Sequence, residues 1–123
     1  MNFASIVWVF IGSGLGGVAR FVISWFFRQN LPTLFPWGTL TINILACSLA
    51  GWVVSKNLQA NLLGAPVSVI LLVGFCGGFS TFSTFGLETW QLISKGQIFA
   101  AAGYVLASVL FGVMAFALTI RTV

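Results

Sequence analysis

The sequence predicts an all-α integral membrane protein, a single domain over residues 1–123 in which four transmembrane helices form the fold and the third helix is broken. Hydrophobic residues make up 59% of the chain and charged residues only 5%, against about 25% charged in soluble domains. Four apolar stretches each have the roughly 17–25 residues that a helix needs to cross a bilayer. The third of them contains paired glycines and several hydroxyls, which interrupt an otherwise apolar helix.

The few charged and nucleophilic residues exclude several classes of protein. Five basic residues against one acid give a formal net charge of +4, but they are scattered and form no basic face for nucleic acid. The chain has no histidine, no paired carboxylates and no Ser–His–Asp or Cys–His set, so we do not expect an enzyme. Cys47 and Cys76 lie in different apolar stretches, and we interpret both as small packing residues.

The first apolar stretch, residues 3–27, carries a stripe of small residues that ends in a cation. Gly12, Gly16 and Arg20 are spaced four residues apart, so they share one helix face. Small residues at this spacing let neighbouring helices approach closely. Arg20 has two interpretations: a side chain that snorkels to the interface, or a charge that attracts anions into a vestibule.

The second stretch, residues 37–55, follows a proline-marked loop and places polar side chains on one face. Thr39 and Asn43 are four residues apart, and Cys47 continues that face. An asparagine in hydrocarbon needs hydrogen-bonding partners. Asn43 therefore either joins two helices or supplies a donor to an anion path.

The third stretch, residues 62–93, is too long for one straight crossing and contains Gly-Phe-Cys-Gly-Gly-Phe-Ser-Thr-Phe-Ser-Thr-Phe at residues 74–85. We expect the helix to break at Gly77 and Gly78, because glycine is a poor helix former. Backbone released by a break must be buried in protein or line a watery path. The stretch is therefore either a kinked packing helix or a transport site. Glu88, near its end, is either a residue of a helix end at the membrane interface or a functional acid.

The fourth stretch, residues 98–120, has a polar stripe in which Tyr104, Ser108 and Gly112 recur every four residues. The polar groups at membrane depth are mostly hydrogen-bond donors, namely Asn43, Ser80, Thr81, Ser83, Thr84, Tyr104 and Ser108. Such groups can replace part of the hydration shell of an ion, and the electropositive edges of phenylalanine rings can help an anion. The residues therefore indicate a path for a small anion, and they do not identify the ion.

The sequence of residues 74–85 closely resembles the GFxGGxTTFSTF signature of the Fluc (CrcB-type) family of fluoride channels. The family's GxGGxAR pattern occurs at residues 14–20, and its PxGTLxxN pattern at residues 36–43. Glu88 follows the central signature where the family has its acid. The likeness extends over all four stretches, and the departures are mild: Ser80 stands where threonine is common, and Gly86 where serine is common.

The resemblance implies an antiparallel homodimer with two fluoride pores, so the partners are fluoride, a second copy of the chain and the lipid bilayer. The carbonyls of Gly77 and Ser80 match those that hold a structural Na⁺ between the subunits. By the same match, the residues of the fluoride pore are Asn43, Phe82, Phe85, Tyr104 and Ser108. We add the hydroxyls of Thr39 and Ser83 to this pore set. Arg20 is assigned to the vestibule.

The function that the resemblance implies is passive export of cytoplasmic fluoride across the bacterial inner (cell) membrane by a multi-pass protein, which protects against fluoride toxicity. The inside-negative potential would drive the anion outward. The alternative is a small proton-coupled four-helix exporter similar to the small multidrug resistance family. That family needs an embedded glutamate in its first helix, where this chain has Arg20 and no acid.

The basic residues outside the membrane are balanced between its two sides. Four crossings put Lys56 and Arg121 on one side, and Arg28 and Lys95 on the other. The positive-inside rule then gives no preferred orientation. We therefore expect dual topology, with the two-fold axis of the dimer in the membrane plane.

Overall fold

The computed structural model describes residues 3–60 and 64–121, and all regular secondary structure in these ranges is helical. Helix α1 spans Phe3–Asn30 and helix α2 spans Trp37–Ala60. Helix α3, Gly64–Ser68, leads into a π-helical stretch, Val69–Cys76, and then into α4, Gly77–Phe79. Helix α5 spans Phe82–Ser94, and α6 spans Ile98–Arg121.

Within the described ranges, four stretches are long and apolar enough to cross a membrane: Phe3–Asn30, Trp37–Asn57, Pro66–Ser94 and Ile98–Arg121. The predicted number and order of crossings are thereby confirmed. We call Pro66–Ser94 the third span. The sequence predicts a start near Leu62–Pro66; Leu62 lies outside the described residues, and the span begins at Pro66. Several phenylalanine side chains are highly exposed, with Phe99 94% exposed and Phe3 and Phe10 each 79% exposed. Exposed apolar rings of this kind suit a multi-pass protein surrounded by lipid.

Helices α1 and α2 extend beyond the predicted apolar stretches. Helix α1 continues to Asn30, where the side-chain Nδ2 donates to the Phe26 carbonyl at 2.8 Å, and α2 continues to Ala60. The apolar pattern predicts only the length of helix that lies in hydrocarbon. Polar residues continue the same helix until a proline or a turn ends it.

The first half of the third span packs on α1 through glycines. A Cβ built at Gly12 would lie 2.6 Å from the Ile70 carbonyl oxygen, and one at Gly16 would overlap the Phe75 carbonyl oxygen. From α1, the Ser13 hydroxyl also donates to the Gly74 carbonyl at 3.3 Å. The predicted small-residue stripe is therefore a backbone-to-backbone contact, which only glycine permits at this distance.

Helix α2 packs along α6, and a glycine again sets their separation. A Cβ built at Gly51 would overlap the Thr119 hydroxyl and lie 2.6 Å from the Phe116 carbonyl oxygen. Toward the other end of the pair, Tyr104 of α6 is fully buried beside Leu40 of α2. The two helices are the second and fourth spans, so they run in the same direction through the membrane.

The break in the third span lies later than predicted. Gly77 is helical, with φ −64° and ψ −40°, and α4 includes both Gly77 and Gly78. The extended residues are Ser80, at φ −71° and ψ 159°, and Thr81, at φ −151° and ψ 116°. Gly78 is needed for packing, because a Cβ there would overlap the Ser13 carbonyl oxygen. Of the two glycines, Gly78 therefore marks a close contact between helices, and neither glycine lies at the break itself.

Candidate functional site

The side chain of Asn43 binds the extended backbone at the break. The Thr81 N–H donates to Asn43 Oδ1 at 2.9 Å, and Asn43 Nδ2 donates to the Thr81 carbonyl at 3.3 Å. One amide side chain thus satisfies both polar groups of a backbone residue that has left the helix. Unsatisfied backbone groups in hydrocarbon are costly, so this pair of bonds explains why the break lies at Thr81.

Thr81 also begins helix α5. Its hydroxyl accepts from the Thr84 N–H at 3.2 Å, which caps one of the free amides at the start of a helix. The same hydroxyl lies 3.0 Å from the Thr84 hydroxyl and 3.4 Å from the Ser83 hydroxyl. Thr81 is only 6% exposed, whereas Ser83 is exposed, so this cluster of hydroxyls extends from the interior to the surface of the chain.

The carbonyls of Gly77 and Ser80 are among those that lose their helical partners at the break. In a continuous α-helix the Gly77 carbonyl would accept from the Thr81 N–H, and the Ser80 carbonyl from the Thr84 N–H. Both amides donate elsewhere, to Asn43 and to the Thr81 hydroxyl. Ser80 O instead accepts from Arg20 Nη1 at 3.4 Å. The loss of partners expected for these carbonyls is therefore found, although the break lies beyond the glycines.

The carboxylate of Glu88 joins three helices. Glu88 Oε1 accepts from the Thr39 hydroxyl of α2 at 2.9 Å, and Oε2 accepts from the Tyr104 hydroxyl of α6 at 2.9 Å. The side chain is half-buried and lies well before the end of α5 at Ser94. Of the two interpretations of Glu88, these hydrogen bonds to two other helices favour a functional residue. It is the only acid in the chain, and an ionisable residue within a span indicates function by default.

Aromatic rings form a row beside these polar groups. The ring centroids of Phe82 and Phe85 are 5.5 Å apart, and those of Phe85 and Tyr104 are 5.1 Å apart. Phe82 is 84% exposed, whereas Tyr104 is fully buried. The row therefore leads from the outer surface of the chain to the hydroxyl that binds Glu88.

Two cavities meet at Thr81. The larger, about 420 Å³, is lined by Arg20, Arg28, Thr39 and Glu88 among others. The smaller, about 210 Å³, is lined by Asn43, Cys47, Ser80, Thr81 and Phe82. Thr81 borders both, so the break lies beside a larger cavity lined by two arginines and a smaller one.

The structure brings most of the predicted pore residues to the break or beside it. Ser108 lies one turn beyond Tyr104 on α6, and its hydroxyl oxygen is buried with no hydrogen-bond partner among the described residues. Sequence reasoning did not single out Thr81, the residue at which the chain turns from one helix to the next. Its place in a run of hydroxyls after two glycines was the available signal, since threonine favours helix N-termini.

Comparison with known proteins gives similarities along nearly the whole chain. Residues 7–120 match the family described as "CrcB-like protein, Camphor Resistance (CrcB)". A protein of Nitrobacter hamburgensis named "Fluoride-specific ion channel FluC 1" is 41% identical over 113 residues, which cover 92% of this chain and 90% of that protein. Proteins named "Fluoride-specific ion channel FluC" are 37% identical in Methylocella silvestris, over 89% of this chain and 85% of that protein, and 38% identical in Leptospira interrogans, over 92% and 90%.

Proposed function

The chain belongs to the CrcB-like family of ion channels, which are not enzymes, and on this premise we propose that it is a passive, fluoride-selective anion channel. The observation that carries the proposal is identity of 37% and 41% to proteins named fluoride-specific channels, over 89% and 92% of this chain. The geometry at the break supports it, because hydroxyl, amide and aromatic groups converge there.

Passage of fluoride requires many weak contacts in series. Removing a small anion from water into a low-dielectric medium costs on the order of tens of kcal/mol, which no single contact offsets. In the proposed path, Arg20 draws the anion into the larger cavity. Hydroxyls and the edges of the Phe82 and Phe85 rings then replace its water stepwise, each weakly enough to release it.

We propose that fluoride moves outward and that the chain forms an antiparallel homodimer, as the sequence predicts. The inside-negative membrane potential drives fluoride out of the cell without ATP, which protects the cytoplasm from fluoride toxicity, and the bacterial inner membrane is the proposed location. Two chains of opposite orientation form a C₂ homodimer. Reporter fusions at the C-terminus should then report both orientations, and a single orientation would contradict dual topology.

A structural Na⁺ between the two chains is part of the proposal. Backbone carbonyls are ligands of the kind that monovalent cations take in channels, and the carbonyls of Gly77 and Ser80 have each lost a helical amide partner, since the Thr81 and Thr84 N–H groups bind elsewhere. Ser80 O accepts from Arg20, but a carbonyl oxygen has a second lone pair for an ion. The ion would hold the chains together without being transported. Replacement of Na⁺ by N-methylglucamine should lower the melting temperature of the dimer, and an unchanged melting curve would exclude the site.

The function is tested by fluoride efflux from liposomes that contain the purified protein. A fluoride electrode should record rapid efflux, while chloride efflux stays at the level of empty liposomes. A pH dye in the same vesicles separates the alternative, since a proton-coupled exporter of the small multidrug resistance type moves protons with its substrate. Fluoride efflux no faster than in protein-free vesicles would overturn the proposal.

A further inference from the structure

Helices α2 and α6 present residues to each other at three matching levels. They run in the same direction, and on each helix the relevant residues are four apart, which raises successive levels by about 6 Å. From the end nearest Glu88, the levels pair Thr39 with Tyr104, Asn43 with Ser108, and Cys47 with Gly112.

Contacts fix the first and third levels. At the first, the Glu88 carboxylate accepts from both Thr39 and Tyr104 at 2.9 Å. At the third, a Cβ built at Gly112 would lie 3.4 Å from the sulfur of Cys47. The second level lies between them by spacing, and both helices hold a polar side chain there.

The second level has donors that other protein groups do not use. The Ser108 hydroxyl is buried and has no partner within the part of the chain that the structure describes. Asn43 uses Oδ1 and one N–H on Thr81, and an amide nitrogen carries two N–H groups. A buried hydroxyl without a partner is costly, so this level is arranged for something that accepts hydrogen bonds.

The smaller cavity continues this arrangement to Cys47. Its walls are the side chains or backbone of Asn43, Cys47, Ser80, Thr81 and Phe82. Cys47 therefore borders the same cavity as Asn43 and Phe82, two residues of the proposed pore. The contact of its sulfur with α6 is at Gly112, where a Cβ would meet the sulfur at van der Waals distance.

We propose that Cys47 lines the ion path one helical turn beyond Asn43 and that its thiol is a donor at that step, beside the pore residues Asn43 and Ser108 that the sequence already predicts. This inference rests on the proposed fluoride channel and extends its path by one level. A thiol is a weak hydrogen-bond donor. A weak contact suits a position that the ion must leave quickly.

A small thiol reagent tests the inference in the fluoride efflux assay. Methyl methanethiosulfonate transfers its methylthio group to a thiol: an S–S bond forms on Cys47, the S–S bond of the reagent breaks, methanesulfinate leaves and the thiol proton goes to solvent. The added group replaces the thiol donor and enlarges the side chain at a residue that lines the smaller cavity. Fluoride efflux should fall about tenfold or more on treatment, because the series of contacts is interrupted, and dithiothreitol should restore it.

Cys76 is the matched control, since it is buried, 7% exposed, and is not among the residues that line the two cavities. Cys76→Ser should remain sensitive to the reagent, whereas Cys47→Ser should be insensitive, each judged against its own untreated rate. Serine keeps a donor at position 47, and mass spectrometry of the treated protein reports which cysteine carries the methylthio group.

The outcomes separate the two proposals. Untreated protein that passes no fluoride overturns the channel and this inference with it. Untreated protein that passes fluoride supports the channel, and the inference then stands or falls on the treated samples. Efflux that is unaffected when Cys47 carries the methylthio group, no reaction at Cys47, or inhibition that persists in Cys47→Ser would each overturn the assignment of Cys47.

Discussion

The two halves of the third span are held by different kinds of contact. Residues 69–79 lie against α1 with backbone touching backbone, where Gly16 and Gly78 leave no room for a side chain. Helix α5, Phe82–Ser94, is held instead by side-chain hydrogen bonds at its start and at Glu88. One half is positioned by the absence of side chains and the other by the presence of polar ones.

This difference indicates a division of labour within one membrane span. Close glycine contacts give a rigid support through dispersion over a large contact area. Hydroxyls that donate to a carboxylate are instead groups that, in the proposed channel, can exchange that partner for an anion. Substitutions in the first half should therefore affect folding, and substitutions around the second half should affect conduction in a protein that still folds.

The largest expected effect is loss of folded protein in Gly16→Val. A Cβ at this position overlaps the Phe75 carbonyl oxygen and lies 2.7 Å from the Phe79 nitrogen, so the backbone of the third span must move. Overpacking of this kind costs about 1–3 kcal/mol, and more when backbone is the obstacle. A Cβ built at Gly14, on the same helix, meets nothing within 4 Å, so Gly14→Val is the control. Melting curves in detergent should separate the two, and equal stability would contradict the close-contact role of Gly16.

The next effect is loss of conduction in Phe82→Ile and Phe85→Ile. Each change keeps a similar volume but removes the electropositive ring edge, so fluoride efflux should fall by about a hundredfold or more while the protein still folds. Phe99→Ile is the control, because Phe99 is 94% exposed and lies at the start of α6. Wild-type efflux in both phenylalanine variants, with folding verified by melting curves, would refute the pore assignment.

Asn43→Leu should lower both the stability of the fold and the fluoride conduction, because Asn43 binds the boundary between the two halves of the third span. The change removes both bonds to Thr81 and leaves a buried N–H and carbonyl unpaired. An unsatisfied buried group costs about 1–3 kcal/mol, so the melting temperature and the fluoride efflux should both fall. Asn30→Leu, which removes only an exposed bond to the Phe26 carbonyl, is the comparison. A fall in efflux with no change in melting temperature would mean that Asn43 does not hold the break.

The smallest effect is expected for Arg20→Gln. Its bond to Ser80 O is long, at 3.4 Å, so its charge in the larger cavity should matter more than that contact. Loss of the charge should slow fluoride uptake into the path by a few-fold at low salt. The difference from wild type should shrink at high salt, where a charge is screened within about 8 Å or less. Arg121→Gln, at the end of α6, serves as the control. A difference that does not change with ionic strength would indicate that Arg20 acts only by holding the break.

The sequence by itself determined the number of crossings, their order and the chemistry available in the membrane. Apolar length is a local property, because each span must satisfy its own backbone in lipid. The glycine stripe and the donor-rich residues of the third and fourth spans could likewise be recognised from spacing alone.

Only the tertiary structure decided where the third span breaks and which polar groups meet. The sequence placed the break at Gly77 and Gly78, but glycine disfavours a helix by only about 1 kcal/mol, and packing on α1 outweighs that preference. The break lies at Thr81 because Asn43, which is 38 residues away in sequence, supplies both hydrogen bonds that the helix gives up. The hydrogen bonds of Glu88 likewise depend on tertiary contacts, since its partners Thr39 and Tyr104 belong to two other helices. Contacts between spans depend on the rotation and depth of each helix, which packing against the neighbouring helices sets.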